Sequence, residues 1–172
     1  GYTGRLIASM AHQFDLVPVL AGRNDTALSA MAKELSLEYI TVDLNDSDKL
    51  VEVLQSFKVV LHAAGPFMHT ALKMAKACIK AGVHYLDITG EIGVFELLKK
   101  MGSEFEKCQR MVMPGVGTPK SPTFTWRLVT KIAKGPDSVM PKPVVITMRS
   151  PTSFSCAAYK LSHRGCANAA PA

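Results

Sequence analysis

Gly1-Tyr2-Thr3-Gly4-Arg5-Leu6 is the stretch whose reading decides the fold. It reads as the second half of a phosphate-cradling glycine loop opening a helix, with no strand in front of it. Glycines in such a loop let backbone N–H groups approach a pyrophosphate at a helix N-terminus, where the partial positive charge of the helix favours the anion. Two glycines three apart are weak evidence alone, so the segments that follow carry the argument.

Outward from the loop the pattern alternates between two periods. Leu6, Ile7 and Met10 form a helical stripe over 4–13, followed by an apolar run of strand length, Leu16–Ala21, with Pro18 near its start. A helix is predicted over 25–36 with Asp25 or Thr26 as N-cap, a strand over Tyr39–Val42 ending at Asp43, and a helix over 47–56 capped by Asp46-Ser47-Asp48. Next come a buried-looking strand over Val59–Ala64 closed by Gly65-Pro66, a helix over 69–81 stopped by Gly82, a strand over His84–Ile88, a helix over 92–108 and a strand over Met111–Met113. Strands and helices in alternation with short connections predict an α/β fold, a parallel sheet with helices on both faces. In such a sheet a ligand lies outside the carboxyl ends of the strands. Gly22-Arg23, Asp43, Ala63-Ala64-Gly65-Pro66-Phe67 and Thr89-Gly90-Glu91 all fall there.

Composition divides the 172 residues near Gly117. Residues 1–117 hold 12 Lys/Arg against 13 Asp/Glu, whereas 118–172 hold 8 against Asp137 alone, with seven of the ten prolines. We therefore expect a dinucleotide-binding domain over 1–117, and over 118–172 a basic, proline-rich linker helix leading into an incomplete second α+β domain begun by 144–149. Cys78, Cys108, Cys156 and Cys166 make no CxxC pair and no ligand-like spacing with histidine, so no metal site or disulfide framework is expected. A reduced, cytoplasmic setting follows as the expectation, with targeting left open because the natural N-terminus looks absent. No apolar run approaches the ~20 residues that span a bilayer.

Arg23 lies 19 positions beyond Gly4, near the place where a dinucleotide fold presents a group to the adenosine ribose. An arginine there suits a 2′-phosphate, which favours NADP, while Asp25 nearby leaves NAD open. Asp43 reads either as a residue beside the adenine or as a turn cap. His62, His69 and His84 read as packing histidines, and Cys78 as an inert core thiol. Asp87 and Glu91 place two carboxylates by the crevice, with helix capping as their plainer role. No Tyr-x-x-x-Lys pair and no Gly-x-Ser-x-Gly occur.

Taken together, Gly1–Leu6, Leu20-Ala21-Gly22-Arg23, Ala63–Phe67, Ala77–Glu91 and Pro114–Gly117 resemble the saccharopine dehydrogenase-like oxidoreductases over about residues 1–117, nearer the trans-acting enoyl reductases. The resemblance implies an NADP-binding Rossmann domain followed by an α+β domain, with a small-molecule and in some members lipid-linked substrate between them, and hydride transfer to an unsaturated or imine group. It implies that Gly1, Thr3 and Gly4 face the pyrophosphate and Arg23 the 2′-phosphate, and that Ala64 and Gly65 let the dinucleotide lie against the backbone. The proton donor is unassigned, with Asp87, Glu91 and Tyr85 nearest the crevice.

Two departures qualify it. The family's first strand, at the sheet centre between the strands ending at Ala21 and Ala64, precedes the position of Gly1, so the sequence reads as an internal piece of a longer product with two unpaired central edges. Unpaired buried backbone groups cost about 1–3 kcal/mol each. After Gly117 the chain reads Thr118-Pro119-Lys120-Ser121-Pro122-Thr123, without the acids of the family's Phe-Asp-x-x-Pro-x-Asp-like segment. An alternative is therefore carried alongside, a catalytically inactive Rossmann remnant acting as an interaction or membrane-surface module. The basic amphipathic segment 122–134 is its membrane candidate, and nucleic-acid binding is not expected because the basic tail has few aromatics.

Overall fold

The computed structural model describes residues 2–116 and 144–147. Helix α1 (Tyr2–Met10) runs into a 3-10 turn over Ala11–Phe14, after which β1 (Val19–Gly22), α2 (Asp25–Leu35), β2 (Tyr39–Thr41), α3 (Ser47–Leu54) and β3 (Val59–His62) alternate. They are followed by α4 (Phe67–Ala81), β4 (His84–Asp87), α5 (Ile92–Lys100), α6 (Gly102–Lys107), β5 (Val112–Met113) and β6 (Val144–Thr147). All pairings are parallel, in the order β2-β1-β6-β3-β4-β5.

The alternation of the strands builds two cores. On one face Leu20, Val59, Leu61, Leu86 and Ile146 pack with Ile7 and Ala8 of α1 and Leu28 and Ala32 of α2. On the other, Ala21, Val60 and Tyr85 pack with Leu50 and Leu54 of α3, Met74 and Cys78 of α4, and Val94, Leu98 and Phe105 of α5 and α6. Successive strand residues point to opposite faces, so runs such as Val59-Val60-Leu61-His62, buried throughout, are what a sheet covered on both sides requires.

Several boundaries differ from the sequence reading, each for a local reason. Asn24, not Asp25 or Thr26, caps α2, its side chain accepting from Ala27 N at 2.8 Å. Asp25 is then free to accept from the Thr41 hydroxyl at 2.9 Å, which ties α2 to the end of β2. The helix expected over 92–108 is two helices that meet at Met101, and both Met101 and Phe105 are buried. Of the stretch 144–149 expected to begin a second domain, residues 144–147 are described. These residues enter the sheet between β1 and β3, and the two central edges expected to lack partners are paired. An apolar, β-branched run satisfies both rows of backbone groups there. The remaining expectations on 117–143 and 148–172, the 122–134 helix among them, lie outside the described residues.

Candidate functional site

The strand ends meet in one cavity. It is lined by Gly22 and Arg23 after β1, by Asp43, Leu44 and Asn45 after β2, by Ala64, Gly65 and Pro66 after β3, and by His69, Thr70, Lys73 and Met74 of α4. Four of the residues picked from the sequence, Arg23, Asp43, Ala64 and Gly65, are brought together. Thr3 and Gly4 belong to the first turns of α1 and do not line this cavity, and Gly1 lies outside the described residues. Because α1 leads back to the start of β1, its first residues sit at the carboxyl edge of the sheet, on the same side as the cavity.

The wall is held by short polar links. Asp43 Oδ1 accepts from the backbone N of Asn45 at 2.8 Å and from its side-chain amide at 2.9 Å, and Lys73 Nζ donates to Asn45 Oδ1 at 2.5 Å. Asp43 thus shapes the turn and lines the cavity at once. The chain Asp43–Asn45–Lys73 joins the β2 end to α4 across the mouth. Neither Asn45 nor Lys73 was singled out in the sequence, because helical periodicity marks a position as exposed without saying which neighbour it faces.

Behind the cavity lies a buried polar layer. The Thr70 hydroxyl donates to the Ala64 carbonyl at 2.9 Å or the Pro66 carbonyl at 3.1 Å, and His62 Nε2 is 3.0 Å from the same oxygen. A hydroxyl has one proton, so with that proton on a carbonyl the imidazole Nε2–H is the donor. Burial holds His62 neutral, its pKa lowered to about 3. It packs edge-on to Phe67, as a core histidine should. His84 is likewise structural, its Nδ1 accepting from Met111 N at 2.9 Å, and burial followed by the Arg110 and Lys58 charges lowers its pKa. Burial raises the pKa of Cys78, which keeps it an inert thiol. His69 departs from the packing role expected of it and is exposed on the cavity wall.

The three proton-donor candidates are consumed elsewhere. Asp87 Oδ2 accepts from the Tyr85 hydroxyl at 2.7 Å, and its Oδ1 accepts from Thr89 N at 3.0 Å and Gly115 N at 2.8 Å. Burial raises the Asp87 pKa against the lowering effect of these bonds. Tyr85 is raised by burial and then by Asp87. Glu91 caps a helix, but not the one that follows it. Its two oxygens accept from Phe67 N at 3.0 Å and Met68 N at 2.9 Å, at the start of α4, where Pro66 offers no side-chain cap. None of the three lines the cavity.

The cavity suits a phosphorylated dinucleotide on its adenosine side. Arg23 is exposed at the rim, whereas Asp25, the group that would favour an unphosphorylated ribose, is bonded to Thr41 and lies off the lining. A Cβ built on Gly65 would come no nearer than 3.4 Å to the Phe67 ring and 3.8 Å to the Phe67 backbone N, ordinary van der Waals contacts. Packing within the chain therefore does not demand glycine there, while close approach of a ligand to the backbone would.

The model of the saccharopine dehydrogenase NADP binding domain matches residues 1–113. The chain belongs to this family. Its cofactor is accordingly NADP, in agreement with Arg23 rather than Asp25 facing the cavity. Among similar proteins, an Arabidopsis thaliana protein named "Probable mitochondrial saccharopine dehydrogenase-like oxidoreductase" is 31% identical over 107 residues, covering 53% of this chain and 24% of its own. A trans-acting enoyl reductase of Mycobacterium ulcerans is 30% identical over 99 residues, covering 54% of this chain and 24% of its own. The chain thus spans about a quarter of the length of the curated relatives it matches. Apo saccharopine dehydrogenase (L-Glu forming) from Saccharomyces cerevisiae shares the fold, with a TM-score of 0.59 at 22% identity over 68% of this chain and 25% of that one. Among the described residues no helix is long and apolar enough to cross a membrane.

Proposed function

We propose that this chain carries the NADP-binding part of an oxidoreductase that reduces an unsaturated or imine substrate. The observation that carries the reading is the convergence of Arg23, Asp43, Ala64 and Gly65 on one cavity at the carboxyl ends of three parallel strands. NADPH, when bound, supplies the hydride, and the protein contributes position and electrostatics. Arg23 meets the 2′-phosphate through charge-assisted hydrogen bonds, Asp43 and Leu44 border the adenine, and Ala64-Gly65 admit the dinucleotide to the backbone. Thr3 and Gly4, with Gly1, serve the pyrophosphate at the start of α1, where the helix end favours an anion. Similarity to the enoyl reductases supports an α,β-unsaturated acyl substrate, lipid-linked in our reading.

Calorimetric titration of the chain with NADPH and NADH tests the assignment. Arg23→Ala is expected to weaken NADPH binding about 10–100-fold, the equivalent of one charged hydrogen-bonded contact, and to leave NADH unchanged. Equal losses for both nucleotides would remove Arg23 from the 2′-phosphate.

A second reading, a nucleotide-holding module without chemistry of its own, is favoured by one observation. Tyr85, Asp87 and Glu91 are all engaged in structural hydrogen bonds, so no proton donor faces the cavity from among them. Binding of NADPH without its oxidation in the presence of enoyl or imine substrates would support it.

A further inference from the structure

The cavity carries a second cationic side chain besides Arg23. Arg23 enters the lining from the loop after β1, and Lys73 enters it from the second turn of α4. Lys73 is exposed, yet its ammonium is held in place. Nζ donates to Asn45 Oδ1, and Asn45 is itself bonded to Asp43 through both its backbone N and its side-chain amide. The backbone beneath is fixed as well, because α4 packs on α3, with Met74 and Cys78 in one core with Leu50 and Leu54. These contacts run between the end of β2, α3 and α4, and none of them involves the centre of the sheet. An ammonium has three donors. One goes to Asn45, and among the described residues no carboxylate pairs with the others. Held, unpaired and on a cavity wall, Lys73 is arranged to meet an anion.

We propose that Lys73 is the second cation of the 2′-phosphate site, sharing that group with Arg23 and so selecting NADP over NAD, a role that rests on the NADP reading above. A phosphate monoester carries about −1.5 to −2 charge at pH 7 and three strong acceptor oxygens. Arg23 alone brings one positive charge, and Asp43 on the same lining offsets it. Lys73 tips that balance toward the anion. The two cations also divide the work geometrically, since a guanidinium forks onto two oxygens while an ammonium acts as a point charge on a third. NADH lacks the phosphate, so a cation that serves it changes the preference between the two nucleotides rather than nucleotide binding in general. Asn45 is then a positioning residue, which brings the ammonium to the mouth without neutralising it. The same helix face offers an internal comparison. Lys76 and Lys80 line the adjoining groove between α3 and α4 together with Lys73, but they do not line the cavity. A long-range field would draw on all three lysines, whereas a contact draws on Lys73 alone.

Calorimetric titration of the parent chain, Lys73→Gln, Lys73→Arg and Lys76→Gln with NADPH and with NADH tests this. Gln at position 73 can still donate to Asn45 but carries no charge, and melting without nucleotide checks that each variant folds as the parent does. Lys73→Gln is expected to weaken NADPH about 10-fold, the scale of one charge-assisted contact, and to leave NADH within about 2-fold. Lys73→Arg is expected to recover most of the NADPH affinity, and Lys76→Gln to leave both nucleotides within about 2-fold. The NADPH loss should shrink at high salt, where a partly exposed charge is screened. Equal losses for NADPH and NADH in Lys73→Gln would overturn the proposal and assign Lys73 to the shape of the mouth. A loss in Lys76→Gln as large as in Lys73→Gln would overturn it too, in favour of the general field of α4. If Arg23→Ala abolishes the preference for NADPH while Lys73→Gln keeps it, Arg23 serves the phosphate alone and only the role of Lys73 falls. A parent chain without any preference for NADPH would overturn the NADP reading and the role of Lys73 with it.

Discussion

At the scale of single residues, the buried polar groups behind the cavity predict how the protein responds to acid and to substitution. His62 has a folded-state pKa of about 3 against an ordinary 6.5, so between those values the unfolded chain binds a proton that the folded chain does not. Stability is therefore full above about pH 6.5 and falls as pH drops, by at most ~1.4 kcal/mol per pH unit. Urea titrations at several pH values check this, and His62→Gln, which can keep a hydrogen bond to Thr70, is expected to flatten the acid slope. An unaltered slope would assign the acid sensitivity elsewhere. Asp87 acts in the opposite sense, because its pKa is raised and the cost of burying its charge appears as pH rises through the folded-state value. Asp87→Asn retains acceptors for Thr89 N and Gly115 N and is expected to cost about 1 kcal/mol or less. Asp87→Ala strips the partner from three groups and is expected to cost at least ~3 kcal/mol. Equal costs for the two variants, by denaturant melt, would contradict the geometry. The sequence showed that these side chains lie near the crevice, but not that they were spent on structure. Asp87 bonds to Gly115, 28 positions away, and such a link leaves no periodic trace.

At the scale of elements, the caps divide into those visible in the chain and those made by folding. Asp46 caps α3 by accepting from Lys49 N, a local arrangement that the sequence announces. The cap of α4 comes from Glu91, 24 residues onward, and only the approach of the β4 and β3 ends creates it. Glu91→Ala is expected to lower stability by about 0.5–2 kcal/mol and to increase exchange at the first turn of α4, whereas Glu91→Gln recovers part of both. No change at Phe67 and Met68 amides would remove Glu91 from that role. Gly115 fixes the exit from β5. Its φ is +68°, and a Cβ there would come within 2.7 Å of the Phe95 ring and 3.2 Å of the Thr89 carbonyl. Gly115→Ala is thus expected to cost more than ~1 kcal/mol in a thermal or urea melt. Strand and helix types were legible throughout 2–116 because the two hydrophobic periods are distinct. Strand order was not. The run Val144–Thr147 looks like any apolar strand, and nothing in its own residues says that it pairs with β1 and β3.

At the scale of the whole molecule, the fold is a two-layered covering of one parallel sheet whose carboxyl edge gathers Arg23, Asp43, Ala64 and Gly65 around one cavity. Arg23, Asp43, Ala64 and Gly65 were legible because a parallel sheet sends every strand end to the same side, so position along the chain becomes position at the site. Asn45, His69, Thr70 and Lys73 were not, since they reach the cavity by the packing of α4 rather than by ending a strand. The central claim is that this arrangement holds NADP and distinguishes it from NAD. A thermal melt of the purified chain with saturating NADPH, NADH or neither tests it most directly, because a ligand that binds only the folded state raises the midpoint. A cooperative transition raised by NADPH more than by NADH is expected, whereas a transition indifferent to both nucleotides would contradict the assignment.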